Sequence, residues 1–336
     1  MRGPVVVAPM AGGPMTVELV GAAGAAGALG ILAAGYKPVD AMKAEIDSVR
    51  AATGEAFGIN LFVPGTPTAE PAEVSRYLDS VVPDAESVGA TLGGHQWDDD
   101  GWSAKVGAVL ADPPPLVSFT FGCPDAEIID ALRAAGSVVV VTVTDPGESR
   151  LAAGREADAL CVQGIEAGAH RGSFTNDRHP GGGSGLLPLI AEVARATDLP
   201  LIAAGGIMGP EDVTAALGAG AVAVQCGTAF LRCPESGAHP THKAALADSR
   251  FTATAFTRSF SGRPARGLVN QFMLDHPEAP AAYPEINNAT RPLRGAAAQQ
   301  GDVDRMGLWG GTGFRRATPH PAGEVIERLS RGHGPR

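Results

Sequence analysis

Short runs of Val, Ile, Leu and Phe recur along the chain, each closed by Gly, Pro or Asp. Eight stand out: 5–9 (VVVAP), 29–34 (LGILAA), 57–62 (FGINLF), 115–121 (PLVSFTF), 137–143 (SVVVVTV), 159–163 (ALCVQ), 200–204 (PLIAA) and 222–226 (VAVQC). Several are apolar at nearly every position rather than at alternate ones. That pattern predicts strands buried on both faces, as in a parallel sheet. Between them lie stretches of helical character, such as PVDAMKAEIDSVRAATG, with Asp40 and Glu45 early and Arg50 late, and DAEIIDALRAAG. Most end in Gly, a common helix stop. The runs at 115, 137 and 159 start 22 residues apart, as do those at 200 and 222. Eight strands alternating with helices predict an α/β fold, a (β/α)8 TIM barrel. An open doubly wound sheet is the alternative, with fewer strands in one sheet and a switch point.

Two intervals exceed the repeat. Residues 64–111 carry PGTPTAEPAEV, the acidic WDDD at 97–100 and a predicted helix at 103–111. Residues 164–187 carry GIEAGAHRGSFTNDRHPGGGSG. Long loops inside a domain are commonly functional or disordered. After the eighth run the repeat stops. The expected organisation is a barrel over 1–232, a smaller α/β domain over 233–317 covering the substrate, and a C-terminal helix over 318–336 packing back on the barrel.

Composition narrows the class. Of 336 residues, 45 are Gly and 27 Pro, yet 44% are apolar, which excludes a disordered chain. The net charge is −10 with no basic run, so nucleic acid and anionic membrane are poor partners. Cys123, Cys161, Cys226 and Cys233 form no Cys-x-x-Cys pair and read as free thiols of a reducing compartment. His239 and His242 form an H-x-x-H without a zincin glutamate, which reads as a solvated loop pair; no metal is expected. The WDDD run likewise reads as a solvated loop, and His95, His276 and His320 have no clustered partners. No signal peptide is legible, and the apolar stretch 19–34 is short and weakly hydrophobic, so a cytoplasmic protein is expected.

In a parallel barrel, ligands bind at the C-terminal ends of the strands. The unusual residues fall there: Met10-Ala11-Gly12-Gly13 after the first run, Asn60 in the third, and Gln163-Gly164-Ile165-Glu166-Ala167-Gly168-Ala169-His170-Arg171-Gly172 after the sixth. Gly205-Gly206-Ile207 follow the seventh, and Gln225-Cys226-Gly227-Thr228 close the eighth. A tight turn explains any one glycine pair. Both together match the place where barrels hold phosphate, with main-chain N–H groups as donors. His170 suits general-base work near neutral pH, or else orders its turn with Arg171. Asn60 and Gln163 suit the donor–acceptor edge of a heterocycle, or else bond to neighbouring loop backbone. Trp97, Trp102 and Trp309 are lids or packing residues, Trp309 (LWGGTG) drawing most interest for its glycine surroundings.

Together these motifs resemble the nitronate monooxygenase family, formerly the 2-nitropropane dioxygenases. The resemblance runs through APMAGG (8–13), GINLF (58–62), VQGIEAGAHRG (162–172), AAGGI (203–207), QCGTAFLRCPESGAHPTHK (225–243), RSFSGRPARGLVNQF (258–272) and WGGTG (309–313). The 225–243 and GRPARG stretches look like class I members. The resemblance implies a flavoprotein with FMN as cofactor. Its contacts would fall on Met10, Ala11, Asn60, Gln163, Gly168, Gly205, Gly206, Gln225, Cys226, Gly227 and Thr228, with His170 catalytic and Trp309 toward substrate. It implies oxidation of an alkyl nitronate, such as propionate 3-nitronate, with O2 to a carbonyl compound and nitrite by way of a flavin semiquinone. A nitroalkane, O2 and a second copy of the chain are the partners in view. Two positions depart: Ala169 replaces the glycine common before His170, and WGGTG replaces the commoner WAGQG.

Two other functions compete. One is an NAD(P)H-dependent flavin reductase of the enoyl-acyl-carrier-protein reductase type, which shares the barrel and a similar EAGGH loop. The other is a barrel that binds phosphate or flavin without catalysis.

Overall fold

The eight apolar runs fold as the strands of one closed parallel barrel in a computed structural model that describes residues 2–176 and 182–333. Residues 177–181 of the long 164–187 segment and 334–336 of the C-terminal segment lie outside the described residues. The barrel strands are β1 (Val5–Val7), β2 (Leu29–Ala33), β3 (Gly58–Phe62), β4 (Leu116–Thr120), β5 (Val138–Val143), β6 (Ala159–Gln163), β8 (Leu201–Ala204) and β9 (Ala223–Cys226). Each expected run holds its strand. β1 closes the ring on β9 through the Val6–Gln225 register, and β7 (Ala169–His170) lies outside the barrel. The alternative open sheet is thereby excluded.

Alternation within each strand sorts its side chains. Val6, Ile31, Val140, Ala159, Cys161, Ile202, Ala204 and Ala223 fill the barrel interior, while Val5, Val7, Val139, Val141 and Leu160 pack outward. The outward layer meets α1 (Val17–Ala25), α2 (Val39–Ala52), α4 (Trp102–Ala111), α5 (Ala126–Ala134), α6 (Pro146–Gly154), α7 (Leu186–Ala194) and α8 (Pro210–Gly218). Helix starts are legible locally. Thr16 Oγ1 accepts from Leu19 N–H at 3.0 Å, Asp145 Oδ1 from Glu148 N–H at 2.9 Å, and Asp212 Oδ2 from Gly209 N–H at 3.0 Å. Each carboxylate or hydroxyl satisfies donors that the first helical turn leaves unpaired. α12 (Ala322–Leu329) buries Ala322, Val325, Ile326 and Leu329 in this same outer core.

A second apolar core sits apart from the barrel. It joins α3 (Pro71–Ser87) to α9 (Pro240–Ala245), α10 (Gln271–Asp275) and α11 (Glu285–Gln300), with Val74, Leu78 and Val81 packed among Phe260, Phe272, Ile286 and Leu293. The sequence reading placed no helix at 71–87. Its cue is there: Val74, Tyr77, Leu78, Val81 and Ala85 follow the three-and-four spacing of one helical face. A small sheet in the order β10-β11-β7 completes this layer, with β10 (Thr254–Thr257) and β11 (Ala265–Leu268) antiparallel. β7 is the loop after β6, captured by β11 through the Ala265–His170 and Arg266–Ala169 pairs.

Two smaller expectations change. His276, read as having no partner, is buried and lies 2.9 Å from Asp84 Oδ2, with Arg305 on the other carboxylate oxygen. Asp100 of the acidic run is no solvated residue: it pairs with the buried Lys105 ammonium at 2.7 Å and accepts from Tyr36 N–H at 3.0 Å. Trp102 packs edge-on against Phe119. The four thiols are buried and free, and no described helix is long and apolar enough to cross a membrane.

Candidate active site

A cavity of about 510 Å³ opens at the C-terminal end of the barrel, within the size range of small-molecule sites. Every residue singled out for the site lines it: Met10, Ala11, Asn60, Gln163, Gly168, His170, Gly205, Gly206, Gln225, Cys226, Gly227, Thr228 and Trp309. The loop after β2 adds Tyr36, and the covering layer adds His239, His242, Asn287, Arg291 and Arg294. No Asp or Glu lines the cavity among the described residues, in a chain of net charge −10.

The floor is polar where a strand interior is usually apolar. Asn60 is buried on β3, opposite Ser118 of β4. Its Nδ2 donates to Ser118 Oγ at 2.9 Å and to Thr120 Oγ1 at 3.0 Å, which leaves Oδ1 uncommitted among the described residues. Gln163 ends β6 and spends both ends of its amide on the next loop: Nε2 donates to the His170 carbonyl at 3.1 Å, and Oε1 accepts from Gly172 N–H at 2.9 Å. Both amides thus have neighbours, as buried polar groups require.

The glycine turns form the wall on the β8–β9 side. Gly206 has φ +74, and a Cβ there would come 2.9 Å from Glu166 Cβ. The main-chain N–H groups of Gly206 and Gly227 donate no hydrogen bond among the described residues. Unpaired N–H donors beside a side-chain-free surface suit a phosphate. The cavity volume, the glycine wall and the free Asn60 Oδ1 fit a planar, phosphate-bearing cofactor such as a flavin nucleotide. Gly168 faces the 309–313 loop: a Cβ there would lie 2.5 Å from Gly310 C. Thr228 Oγ1 accepts from Gly311 N–H at 3.0 Å and Glu166 O from Thr312 N–H at 3.0 Å, so this loop is tied down from both sides.

His170 lines the same cavity, ringed by Phe121, Tyr283 and Trp309 at centroid distances of 5.8, 5.6 and 5.8 Å. Its Nε2 lies 2.9 Å from Ser261 Oγ. Burial, then the Arg263 and Arg294 guanidinium groups, push its pKa down to about 3. The imidazole is therefore neutral near pH 7. Arg263 itself is pushed down to about 10 by burial and stacks over Phe121 at 4.0 Å. Tyr283 donates to Tyr36 Oη at 3.0 Å, and burial raises both phenols, so both remain protonated.

Tyr36, Phe62, Phe121 and Arg291 also line a second cavity of about 700 Å³ that includes Trp97 and Asp98–Asp100. The sequence reading missed the Tyr36–Tyr283 pair, Ser261, Arg263 and Arg294. GRPARG carried the resemblance, but nothing in its spacing brings it to His170; β11 does. The H-x-x-H reading is corrected as well. His242 is buried, not solvated, and its Nε2 donates to the Trp309 carbonyl at 2.9 Å. No metal-binding group of His, Cys, Asp or Glu occurs among the described residues.

Known proteins agree with this geometry. The nitronate monooxygenase family model matches residues 2–332. A nitronate monooxygenase of Pseudomonas aeruginosa is 38% identical, covering 97% of this chain and 95% of its own. A probable nitronate monooxygenase of Bacillus subtilis is 36% identical over 94% and 91%. The solved nitroalkane oxidase of Streptomyces ansochromogenes superposes with a TM-score of 0.94 at 47% identity, covering 98% and 94%. FabK of Thermotoga maritima, at 24% identity and a TM-score of 0.76 over 98% and 92%, shares the fold. Barrel, glycine wall and whole-length similarity lead to one conclusion: the chain belongs to the nitronate monooxygenase family of flavin-dependent oxidoreductases.

Proposed function

We propose that this protein binds FMN in the barrel cavity and oxidises alkyl nitronates, with O2, to carbonyl compounds and nitrite. The observation that carries the reading is a neutral His170 lining an acid-free cavity together with Arg294, with the Arg263 guanidinium acting on the same ring from behind that wall. Gly205, Gly206, Gly227 and Thr228 would hold the phosphate; Met10, Ala11, Asn60, Gln163, Gly168, Gln225 and Cys226 would surround the rest of the cofactor. When bound, FMN supplies the electron-accepting group. Arg263 and Arg294 favour an anionic nitronate over neutral competitors, because a positive field in a partly dehydrated site acts strongly on charge. Trp309 and Tyr283 bound the space beside His170 and exclude water from it. The covering layer that carries them is the smaller substrate domain of this reading. The free thiols support a cytoplasmic setting.

A neutral nitroalkane is a second substrate form. Its Cα proton needs a base, and the neutral His170 ring lines the cavity with Nδ1 unbonded among the described residues. The solved relative named a nitroalkane oxidase favours the same extension. The competing NAD(P)H-dependent reductase reading rests on the barrel and the similar EAGGH loop, neither of which speaks to the donor. Anaerobic mixing with propionate 3-nitronate and, separately, with NADH or NADPH decides. Flavin bleaching by the nitronate alone is the expected result; bleaching by the nicotinamide alone would overturn it. Flavin released by acid should be FMN.

A further inference from the structure

We propose that Ser261 is the positioning residue that makes Nδ1, not Nε2, the proton-accepting atom of His170. The inference rests on the reading of His170 as base for a neutral nitroalkane and goes beyond it by naming the atom and what selects it.

Ser261 is fully buried in the loop between β10 and β11, where its N–H donates to the Arg258 carbonyl at 3.0 Å. Its hydroxyl donates to the Arg263 carbonyl at 3.1 Å, and its oxygen accepts from Arg263 N–H at 3.3 Å. A hydroxyl has one proton to give. With that proton on the Arg263 carbonyl, Ser261 Oγ meets His170 Nε2, 2.9 Å away, as an acceptor. Nε2 therefore carries the hydrogen of the neutral ring. Nδ1 keeps its lone pair and has no hydrogen-bond partner among the described residues.

The main chain enforces the same choice. β11 pairs Ala265 with His170, and Arg171 N–H donates to the Pro264 carbonyl at 2.8 Å. The strand that follows Ser261 thus holds the backbone of the histidine, so ring and hydroxyl share one rigid frame. In the proton transfer, the C–H bond beside the nitro group breaks and its electron pair delocalises into that group, giving the nitronate. The proton forms a bond to Nδ1. The resulting imidazolium keeps its Nε2–H on Ser261 Oγ, and that charge-assisted bond is stronger than the neutral one. A nitronate supplied ready-made skips this transfer, so Ser261 has little to do for it.

The test uses holoenzyme labelled with 15N-histidine. Two-bond 1H–15N correlation at neutral pH should show His170 with Nε2 protonated and Nδ1 bare; a protonated Nδ1 would overturn the proposal. Ser261→Ala should perturb that tautomer and lower kcat for nitroethane by about 10- to 100-fold, the scale set by a misplaced base. Turnover of ethyl nitronate should change by less than about 3-fold, since orientation of the base no longer enters. An equal loss on both substrates would reduce Ser261 to a structural role. If Ser261→Ala does not fold, Ser261→Cys, which keeps a weak acceptor, should retain the wild-type tautomer and part of the nitroethane rate; a reversed tautomer in it refutes the idea. His170→Ala separates the two claims. If it abolishes nitroethane oxidation while Ser261→Ala leaves that rate unchanged, only the role of Ser261 fails. If His170→Ala still oxidises nitroethane normally, the base reading itself has failed.

Discussion

The Gln163 side chain carries the main chain of His170: Nε2 donates to the His170 carbonyl at 3.1 Å, while Oε1 accepts from Gly172 N–H at 2.9 Å. One amide at the end of a barrel strand thus clamps both sides of β7, the strand that belongs to the covering layer. Gln163→Leu removes both bonds and leaves a half-buried carbonyl and N–H unpaired. The expected cost is about 2 to 3 kcal/mol, read from urea unfolding. An effect below about 0.5 kcal/mol would show that the loop holds itself without the clamp.

Ala169 is the strained member of that strand. Its φ of +61 lies in the left-handed region, which an L-side chain adopts at a cost of about 1 kcal/mol. A glycine, the residue the family resemblance implies here, would adopt this conformation without that cost. Ala169→Gly relieves the strain but adds freedom to the unfolded chain, so the net gain is about 0.5 kcal/mol or less. Ala169→Val should destabilise clearly, because a β-branched side chain tolerates this conformation worst. Paired thermal melts of the two variants check the ordering Gly, Ala, Val; a Val variant as stable as the parent contradicts it.

Two histidines held neutral, the part-buried His170 and the buried His242, tie stability to pH. Burial lowers His170 to about 3 and His242 to about 4, against about 6.5 for an exposed ring. The unfolded chain therefore takes up these protons first as pH falls. Stability from both rings is fully present above about pH 6.5 and is lost progressively toward pH 3 to 4. Between pH 7.5 and 5 the unfolding free energy read from urea titrations should drop by about 2 kcal/mol per ring. His170→Asn should flatten part of that slope. A parent protein whose stability stays constant from pH 7.5 to 5 would show that neither ring is held neutral.

The parts of this fold legible in the sequence are those where local pattern and burial coincide. Val-rich runs such as 138–143 fill both faces of a barrel strand, with Val139 to Val143 all buried. The glycine turns at Gly205–Gly206 and Gly227 were legible for the same reason, since they sit directly at strand ends. The covering layer was not. β7 is two residues long, and its partner Ala265 lies far along the chain, so no local pattern announces it. Helix α3 had the right spacing, but its Pro71 and Pro83 and acidic neighbours disguised it as loop. Ser261, Arg263, Arg294 and Tyr283 surround His170 only because these long-range pairings form.

The acidic run joins this site through one residue. Asp100 Oδ1 accepts from Tyr36 N–H at 3.0 Å, and Asp100 Oδ2 pairs with Lys105 Nζ at 2.7 Å. Lys105 is buried, and its other partner among the described residues is the Ala34 carbonyl at 3.0 Å. Tyr36 is held at φ +67 and bonds Tyr283, which packs on His170. Asp100→Ala therefore strands a buried ammonium and frees a strained tyrosine together. We expect a loss of about 3 kcal/mol, because removing one partner leaves a buried charge uncompensated. Lys105→Met in the same chain should recover most of that loss, since it removes the stranded charge. It should not restore the Tyr36 restraint, so nitronate turnover should stay impaired in the double variant. Full recovery of turnover with stability would show that Asp100 serves Lys105 alone and has no hold on the Tyr36–Tyr283 wall.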